Sequence, residues 1–378
     1  MGKASNIYVG RQERWNVAIS SRVHLGVSMN TSAIDIFCGI GGLSYGLKKA
    51  GISVVAGVDI DESCKYPYEK NVQAEFIQRD VSDLRGEEIN ERYWSNDVLK
   101  ILAGCAPCQP FSTHSNKIKD KIQTRKWWLL REFTRLVSET NPHIVTMENV
   151  PNLANQEIFA DFVTFLERNE YYVSYSNVYC PDYGIPQKRR RLVLLASKYG
   201  EISLLPKTHS KGEYVTLRQA IGHLPPVEAG EVCETDLLHR TSKLTPVNLQ
   251  RIKASRPNGT WLNWSEDLQL ECHKKKTGRT YKAVYGRMAW DEPSSTITTQ
   301  FYNYGTGRFG HPIQNRALTM REAAMLQTFP EDFEFYENEK DVSLKRLSTY
   351  IGNAVPVKLA FIIGKSILNH TEMYYGRK

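Results

Sequence analysis

Residues 31-TSAIDIFCGIGGLSYGLKKA-50 decide the fold of this chain, because they combine a strand, a glycine-rich turn and a helix. The apolar run 31–37 predicts the strand, the glycines at 39, 41 and 42 predict the turn, and residues 43–50 have the pattern of a helix. Glycines let a ligand approach the backbone closely. The stretch therefore predicts a nucleotide-binding βα unit of an α/β sheet.

A carboxylate follows this unit at an informative distance. The next predicted strand, 52–58, ends at Asp59, which lies 20 residues after Gly39. At this spacing a carboxylate accepts hydrogen bonds from ribose hydroxyls, in nicotinamide dinucleotides as well as in S-adenosylmethionine (AdoMet). The turn lacks the third glycine of G-x-G-x-x-G, which dinucleotide folds use for close helix–strand packing. A nicotinamide oxidoreductase is therefore disfavoured.

The composition is that of a soluble globular protein with a polyanionic partner. The chain has 378 residues, 41% hydrophobic and 24% charged, with a net charge of +8. This length suggests two domains or one enlarged domain. No apolar run approaches the ~20 residues of a membrane span, we find no signal peptide, and Asn6 breaks the myristoylation pattern. Seven scattered cysteines predict a reduced, cytosolic protein.

One cysteine stands where a nucleophile would be expected. In 104-GCAPCQPFS-112, Cys108 follows the predicted buried strand 98–103, and ligands bind at the carboxyl ends of strands in open α/β sheets. A free cysteine, with a pKa of about 8.5, is only a few per cent thiolate at neutral pH, so the site must activate it or its target. Cys105 and Cys108 also form a C-x-x-C pair, so a redox or zinc role stays open on spacing alone.

The residues around Cys108 resemble a known catalytic motif. The sequence 107-PCQPFS-112 resembles that of the DNA (cytosine-5) methyltransferases, in which the cysteine adds to a cytosine ring. From residue 31 to residue 368, other segments resemble the remaining motifs of this family in order and spacing. They are the turn 37–42, the acidic strand end at Asp80, the tripeptide 148–150, Gln187-x-Arg189-x-Arg191, Thr296 with Ile297, the helix 316–330 with a capping box of Thr319 and Glu322, and 351–356.

The resemblance implies four catalytic residues. Cys108 would add to C6 of the cytosine. Glu148 would stabilise the protonated N3 of the ring, and a dry pocket would have to raise its pKa. Arg189 and Arg191 share one face of a strand and would fix the target nucleotide and its phosphate.

The resemblance also implies binding residues. Those for AdoMet, and for its product S-adenosylhomocysteine (AdoHcy), are Asp35, Phe37, Gly39, Gly41, Gly42, Asp59, Ile60, Asp80, Val81, Pro107 and Asn353. Those for DNA are Gln109, Ser112, His114, Arg125, Asn149, Gln187 and Thr296. Residues 112–131 hold six Lys or Arg and one Asp, which suits contact with a phosphate backbone. Many members have Asp-x-Arg-Gly in this loop. This chain has Gln-Thr-Arg-Lys at 123–126, so loop closure can differ.

The fold implied is α/β, a Rossmann-like, mostly parallel sheet that binds AdoMet, with a second, smaller target recognition domain. The expected parts are an N-terminal arm at 1–30, the catalytic domain at 31–200, the recognition domain at 201–334 and a segment at 335–378 that completes the catalytic domain. After about residue 201 the strand–helix alternation is lost. The recognition domain would read sequence in the major groove.

The function implied is that of a bacterial, restriction–modification DNA (cytosine-5)-methyltransferase. It would act as a monomer on double-stranded DNA, without a metal, in the nucleoid region of the cytoplasm, and would protect DNA from a cognate restriction endonuclease. A tRNA cytosine-5 methyltransferase is the alternative within the enzyme class, although the long 201–315 region favours DNA. N-methylating DNA enzymes are disfavoured because no [D/N/S]-P-P-[Y/F/W] occurs. The non-enzyme alternative is a nucleic-acid binder that has lost catalysis.

Overall fold

A computed structural model of the protein describes residues 30–107, 121–275, 278–341 and 343–375, without the side chains of residues 121–127, 279, 341 and 375. All of the predicted N-terminal arm except residue 30 lies outside these ranges.

A seven-stranded sheet forms the centre of the protein. Its strands are β1 (Thr31–Ile36), β2 (Val54–Asp59), β3 (Glu75–Gln78), β4 (Leu99–Gly104), β5 (Ile144–Asn149), β6 (Tyr172–Tyr179) and β7 (Arg190–Ser197), and a hairpin of β8 (Val232–Cys233) and β9 (Asp236–Arg240) lies apart. The order across the sheet is β3-β2-β1-β4-β5-β7-β6. Strands β1 to β5 are parallel, whereas β7 runs antiparallel to both of its neighbours. The predicted mostly parallel α/β sheet is confirmed.

Helices connect and cover these strands. They are α1 (Gly42–Ala50), α2 (Lys65–Val72), α3 (Gly86–Tyr93), α4 (Lys121–Thr140), α5 (Glu157–Arg168), α6 (Leu217–Ile221), α7 (Pro246–Ala254), α8 (Glu271–Lys274), α9 (Met320–Leu326), α10 (Leu344–Asn353) and α11 (Val357–Tyr375). The predicted capping box at the start of α9 is confirmed. The Thr319 hydroxyl accepts from the backbone N–H of Glu322, and the Glu322 carboxylate accepts from the backbone N–H of Thr319.

The strand order creates a crevice at the carboxyl end of β1. The chain passes from β1 outward through β2 to β3 and then returns to β4 on the other side of β1. Connections that leave a strand in opposite directions open a crevice beyond its carboxyl end, which is where α/β sheets bind ligands. The carboxyl ends of β1, β2, β4 and β5 all meet at this edge.

Two apolar cores cover the two faces of the sheet. Alternate residues of β1 enter different cores, because Ala33 packs in one and Ile34 and Ile36 pack in the other. The first core also contains the buried faces of α1 and α11.

The segment 201–334 shares much of its apolar packing with the sheet. Leu217, Phe301 and Leu326 belong to the same core as α1 and α11. A small separate cluster contains Ile252, Trp261, Trp264, Tyr304 and Ala317. The packing therefore does not show a separate recognition domain, and the boundary at residue 201 stays a prediction.

Helices α1 and α11 pack unusually closely at Gly46. A Cβ atom on Gly46 would lie 2.3 Å from Cβ of Ala360 and 2.4 Å from the carbonyl oxygen of Val357. Only a residue without a side chain allows this approach. Helix α11 is thereby held against the helix that follows the glycine turn, and the assignment of 335–378 to the catalytic domain stays a prediction.

One apolar stretch in the described part of the chain, Leu344–Tyr374, has the length and composition of a membrane span. It comprises α10 and α11, and 72% of its most apolar window is buried inside the protein. Core helices of soluble proteins have the same character, so the stretch is weak evidence for a membrane location.

We expect Gly46→Ala to lower the free energy of unfolding by about 1–3 kcal/mol, because the new methyl group overpacks against backbone atoms of α11. Urea unfolding followed by circular dichroism measures this change. Asp161→Ala, at an exposed position of α5, is the control and should leave the midpoint nearly unchanged. An unchanged or higher midpoint for Gly46→Ala would contradict the packing described here.

Candidate active site

The glycine turn after β1 adopts the left-handed backbone that its sequence predicts. Phe37, Gly39 and Gly41 have φ angles of 64°, 51° and 90°. The backbone N–H of Gly39 donates to Oδ2 of Asp59 at 2.8 Å, so the turn and the carboxylate lie together, and the contact of Asp59 with ribose hydroxyls stays a prediction. A Cβ placed on Gly39 would meet no atom of the described residues within 4 Å. The turn therefore leaves open space for a ligand.

The neighbouring strand ends carry the other acidic groups predicted to bind a cofactor. Asp59 also accepts from the backbone N–H of Asp61 at 3.0 Å, while burial raises the pKa of the Asp59 carboxyl group. Ile60 is 65% exposed, which suits contact with a flat ring. Asp80 caps the turn after β3 by accepting from the backbone N–H of Ser82, and Val81 next to it is buried.

A buried carboxylate lies beneath the turn. Asp35 in β1 is 1% exposed, and its Oδ2 accepts from the Ser44 hydroxyl at 2.6 Å. The Ser44 hydroxyl also lies 3.0 Å from the Tyr68 hydroxyl. Its other oxygen has no hydrogen-bond partner among the described residues. Burial raises the pKa of Asp35 to about 7, against a smaller opposing effect of the Ser44 hydrogen bond. An unpartnered buried acceptor fits a bound group with an N–H donor.

The turn between α10 and α11 closes the other side of the site. A Cβ on Gly42, at the start of α1, would lie 2.6 Å from the carbonyl oxygen of Val355. Asn353 precedes this contact and is exposed. The open glycine turn, the Asp59 carboxylate, the free Asp35 oxygen and Asn353 together fit the polar groups of a nucleoside with an amino acid attached, as in AdoMet.

The antiparallel strand β7 brings an arginine to a buried glutamate. Glu148 in β5 is 3% exposed, and its Oε1 forms an ion pair with Nε of Arg191 at 2.9 Å. The N–H group of Arg191 does not point at this oxygen, so the contact is an ion pair and not a hydrogen bond. Val193 pairs with Glu148, so Arg191, two residues earlier on β7, is a diagonal neighbour on the same face. The expected dry environment of Glu148 is present. The ion pair with Arg191 was not predicted, since Arg191 was assigned to the target nucleotide.

The other oxygen of Glu148 faces the segment that leads to the predicted nucleophile. Sγ of Cys105 donates to Oε2 of Glu148 at 3.2 Å. The Asn149 side chain, 2% exposed, donates to the carbonyl oxygen of Ala106 at 3.0 Å. Pro107 is exposed. Glu148 and Asn149 thus hold residues 105–106, and Asn149, predicted to contact DNA, supports this segment from inside the protein.

Two further predicted residues are buried in hydrogen-bond networks. Gln187, predicted to contact DNA, is fully buried and donates to the backbone of Leu326. Arg189 is 2% exposed and donates to the carbonyl oxygen of Ile297 at 2.9 Å. Burial lowers the pKa of Arg189 to about 9, still above neutral pH. In this structure neither side chain is accessible to DNA. Both support the site, whereas the half-buried Thr296 donates to the carbonyl oxygen of Lys188.

Several predicted site residues lie outside the described residues. These are Cys108, Gln109, Ser112 and His114. Arg125 belongs to α4, but its side chain is not among those described.

Three residues of the site were missed by sequence reasoning. A signal existed for Cys105, because Gly104 pairs with Met147 in the parallel β4–β5 register, which places Cys105 beside Glu148. Ser44, beneath the turn, is one helical turn from Gly41 and carries no motif signal. Gln327, whose side chain hydrogen-bonds to Gln187 at 2.8 Å, is 140 residues away in the sequence, so only the folded chain reveals the contact.

The fold and this edge of the sheet define the class of protein. The structure superposes on a solved Escherichia coli structure described as a prophage-encoded DNA modification methyltransferase, with a TM-score of 0.68 and 23% identity. The superposition covers 90% of this chain and 99% of the other. At this identity the likeness concerns the fold, which is that of the Rossmann-like methyltransferases.

The sequence comparisons show the family. A profile of the C-5 cytosine-specific DNA methylases matches residues 31–369, so the chain belongs to this family. It is 49% identical over 350 residues to the Type II methylase M.HgiDII of Herpetosiphon aurantiacus, over 92% of this chain and 98% of that protein. It is 30% identical over 352 residues to the Type II methyltransferase M.Eco47II of Escherichia coli, over 89% and 79% of the two chains. The chemistry of this family depends on AdoMet.

The buried Asp35 predicts a distinctive dependence of stability on pH. Its pKa is about 7 in the folded protein and near 3.8 in the unfolded chain, so unfolding releases a proton between these values. The contribution of Asp35 to stability is therefore complete below about pH 4 and is lost as the pH rises through about 7. Relative to Asp35→Asn, which cannot titrate, the wild type should lose up to about 4 kcal/mol across this window.

Urea unfolding of both proteins at several pH values measures the difference. Other carboxyl groups change the stability of both proteins alike, so the difference isolates Asp35. A difference that stays constant from pH 4 to pH 7 would contradict the burial of a titrating carboxyl group at this position.

Proposed function

We propose that this protein is a DNA (cytosine-5)-methyltransferase that transfers the methyl group of AdoMet to C5 of a cytosine within a specific short duplex sequence. The observation that carries the proposal is the placement of Glu148. It is buried at the carboxyl end of β5, paired with Arg191, and holds the segment that leads directly to Cys108. Addition to a cytosine ring requires a thiol and a carboxyl group, and the chain continues from the segment held by Glu148 to Cys108 within two residues.

Cys108 is the proposed nucleophile. Its thiolate adds to C6 of the flipped-out cytosine, and the electron pair of the C5–C6 double bond becomes available at C5. Loss of the C5 proton and of the Cys108 sulfur restores the aromatic ring after methylation. Burial raises the pKa of the thiols of Cys38, Cys64 and Cys180, so these three cysteines are poor nucleophiles.

Glu148 lowers the barrier to this addition. C6 of cytosine is a poor electrophile until N3 is protonated or hydrogen-bonded. Glu148 in its acid form donates a proton to N3 as the sulfur adds, and its carboxylate takes the proton back when the sulfur leaves. Arg191 is the positioning residue of this carboxyl group, because its guanidinium lies 2.9 Å from Oε1. A buried carboxylate without such a partner would be strongly destabilised. Arg189, directly before β7, holds the backbone of Ile297.

The edge beside β1 is the proposed AdoMet site. When bound there, AdoMet would supply an electrophilic methyl group for transfer to C5, with AdoHcy as the product. Asp59 and the glycine turn hold the ribose side, Ile60, Asp80 and Val81 line the adenine side, and the free oxygen of Asp35 accepts from the amino acid part. Pro107 and Asn353 close the site. Phe37, Gly41 and Gly42 shape the turn around it.

Double-stranded DNA is the proposed substrate. The net charge of +8 and the six cations of residues 112–131 suit a polyanion, and Gln109, Ser112, His114, Arg125 and Thr296 are the proposed contacts. The segment 201–334 is proposed to read the sequence. The target base must leave the stack, at a cost on the order of a few kcal/mol. Family membership and the Type II relatives favour this substrate over tRNA.

The biological role proposed is protection of cytoplasmic DNA from a cognate restriction endonuclease. The relatives named as Type II methyltransferases support this role. The protein is proposed to act as a monomer.

The wild-type protein should convert deoxycytidine in unmethylated genomic DNA to 5-methyldeoxycytidine. The test is incubation with AdoMet and, separately, with genomic DNA or unmodified tRNA, followed by digestion to nucleosides and mass spectrometry. Cys108→Ala should abolish the product, whereas Cys272→Ala, at an exposed cysteine of α8, should retain it. Product from tRNA alone would support the tRNA enzyme instead, and no product from either would support an inactive binder.

Glu148→Gln should lower kcat for DNA methylation by about 10²–10⁴-fold, because the amide cannot exchange a proton with N3 of the base. Single-turnover kinetics with labelled AdoMet measures the effect. Glu292→Gln, at a half-exposed glutamate paired with Lys188, is the matched control and should keep kcat within a few-fold. A wild-type kcat for Glu148→Gln would remove Glu148 from the mechanism.

A further inference from the structure

Two buried glutamines join the parts of the chain that surround the site. Gln187 and Gln327 are both fully buried, and Nε2 of Gln187 donates to Oε1 of Gln327 at 2.8 Å. Neither residue belongs to a strand or helix of the sheet, and neither has a role in the reaction proposed above. A buried amide pair of this kind has to satisfy its remaining donors and acceptors locally.

The Gln327 side chain holds the turn between α10 and α11. Its Nε2 donates to the carbonyl oxygens of Ile351 at 2.7 Å and Ala354 at 3.2 Å. Between these two acceptors lies Asn353, proposed to contact AdoMet. Val355 follows Ala354, and its carbonyl oxygen packs closely against Gly42 of the glycine turn. Gln327 therefore sets the position of one wall of the proposed AdoMet site.

The Gln187 side chain holds a segment of the proposed recognition region. Its Oε1 accepts from the backbone N–H of Ile297 at 2.8 Å. Arg189 holds the same residue through its carbonyl oxygen and extends to the carbonyl oxygen of Gly352 at 3.4 Å. Thr296, proposed to contact DNA, directly precedes Ile297.

The two segments also touch each other. A Cβ on Gly352 would lie 2.5 Å from backbone atoms of Thr298 and Thr299. The recognition segment 294–299 and the α10–α11 turn are thus in contact and share one buried hydrogen-bond network. Displacing either segment leaves buried polar groups unpaired, which is costly, so the two segments are constrained to move together.

We propose that the Gln187–Gln327 pair couples occupancy of the AdoMet site to the position of the recognition segment 294–299. The two glutamines are positioning residues, and the proposal rests on the function proposed above. A ligand that orders the α10–α11 turn orders segment 294–299 through the pair. Bound cofactor then raises the affinity for DNA at that segment by some factor. By linkage, bound DNA raises the affinity for the cofactor by the same factor.

Hydrogen–deuterium exchange of the wild-type protein with AdoHcy, in the absence of DNA, provides a first test. AdoHcy should slow exchange at the glycine turn and, at least about threefold, at Ile297, whereas α7 should be unchanged. Slower exchange at the glycine turn without slower exchange at Ile297 would overturn the coupling and leave the proposed function in place. No slowing at either place would overturn the proposed cofactor site and the coupling with it.

Variants provide a second test through binding constants. The Kd of AdoHcy is measured by calorimetry with and without duplex DNA that carries the recognition sequence. We define the coupling factor as the Kd of AdoHcy without DNA divided by the Kd with DNA. We expect a coupling factor of several-fold for the wild type and of about one for Gln327→Met and for Gln187→Met. The double variant should lose no more coupling than either single variant, because both act through one contact.

Gln219→Met is the matched control. Its side chain accepts a hydrogen bond from the backbone N–H of Thr216 in the capping box of α6, at an exposed position, and no hydrogen bond to the Gln187–Gln327 network is present among the described residues. It should retain the wild-type coupling factor. The proposal would be overturned if the coupling factor of the wild type is about one. It would also be overturned if both Gln187→Met and Gln327→Met keep the wild-type coupling factor.

Discussion

The contact between Glu148 and Arg191 is the constraint on which the site depends. A carboxylate buried in an apolar sheet is stable only when a counter-charge or hydrogen-bond donors lie within reach. The parallel strands beside Glu148 supply the thiol of Cys105, but the guanidinium comes from β7. Because β7 is antiparallel to β5, its first residues lie at the edge where β5 ends. The single antiparallel strand β7 thus places the guanidinium group of Arg191 next to Glu148.

The two halves of the site use carboxyl groups differently. Asp35 and Asp59 lie where burial raises the pKa, and one oxygen of Asp35 has no hydrogen-bond partner among the described residues. Glu148 is held from both sides by protein groups and directs the segment before Cys108. The cofactor half is therefore open and adaptable, whereas the base half is already organised by the protein. This difference suits a small ligand that enters an open site and a base that must be held rigidly during addition.

The sequence was most informative where function depends on local order. The glycine turn and the strand that ends at Asp59 were predicted from local patterns, and Glu148 was predicted at the end of a strand, where the structure has it. It was less informative where a side chain's surroundings come from distant segments. Gln187, Arg189 and Asn149 were assigned to DNA or the target nucleotide by motif, but each is buried against chain brought in from elsewhere. Polarity alone does not tell a contact with substrate from a hydrogen bond that holds the site together. The same limit applies to 201–334, whose apolar residues gave no sign that many of them would join the core of the sheet.

The close packing of Gly46 on α11 also determines when the protein can become active. The two contacting helices are separated by more than 300 residues, so α1 leaves the ribosome long before its partner exists. At roughly 5–20 residues per second, the glycine turn waits on the order of tens of seconds without the helix that covers it. The cofactor site is therefore completed at the end of synthesis rather than at its beginning. Unfinished chains carry the glycine turn but lack the helix that packs against α1.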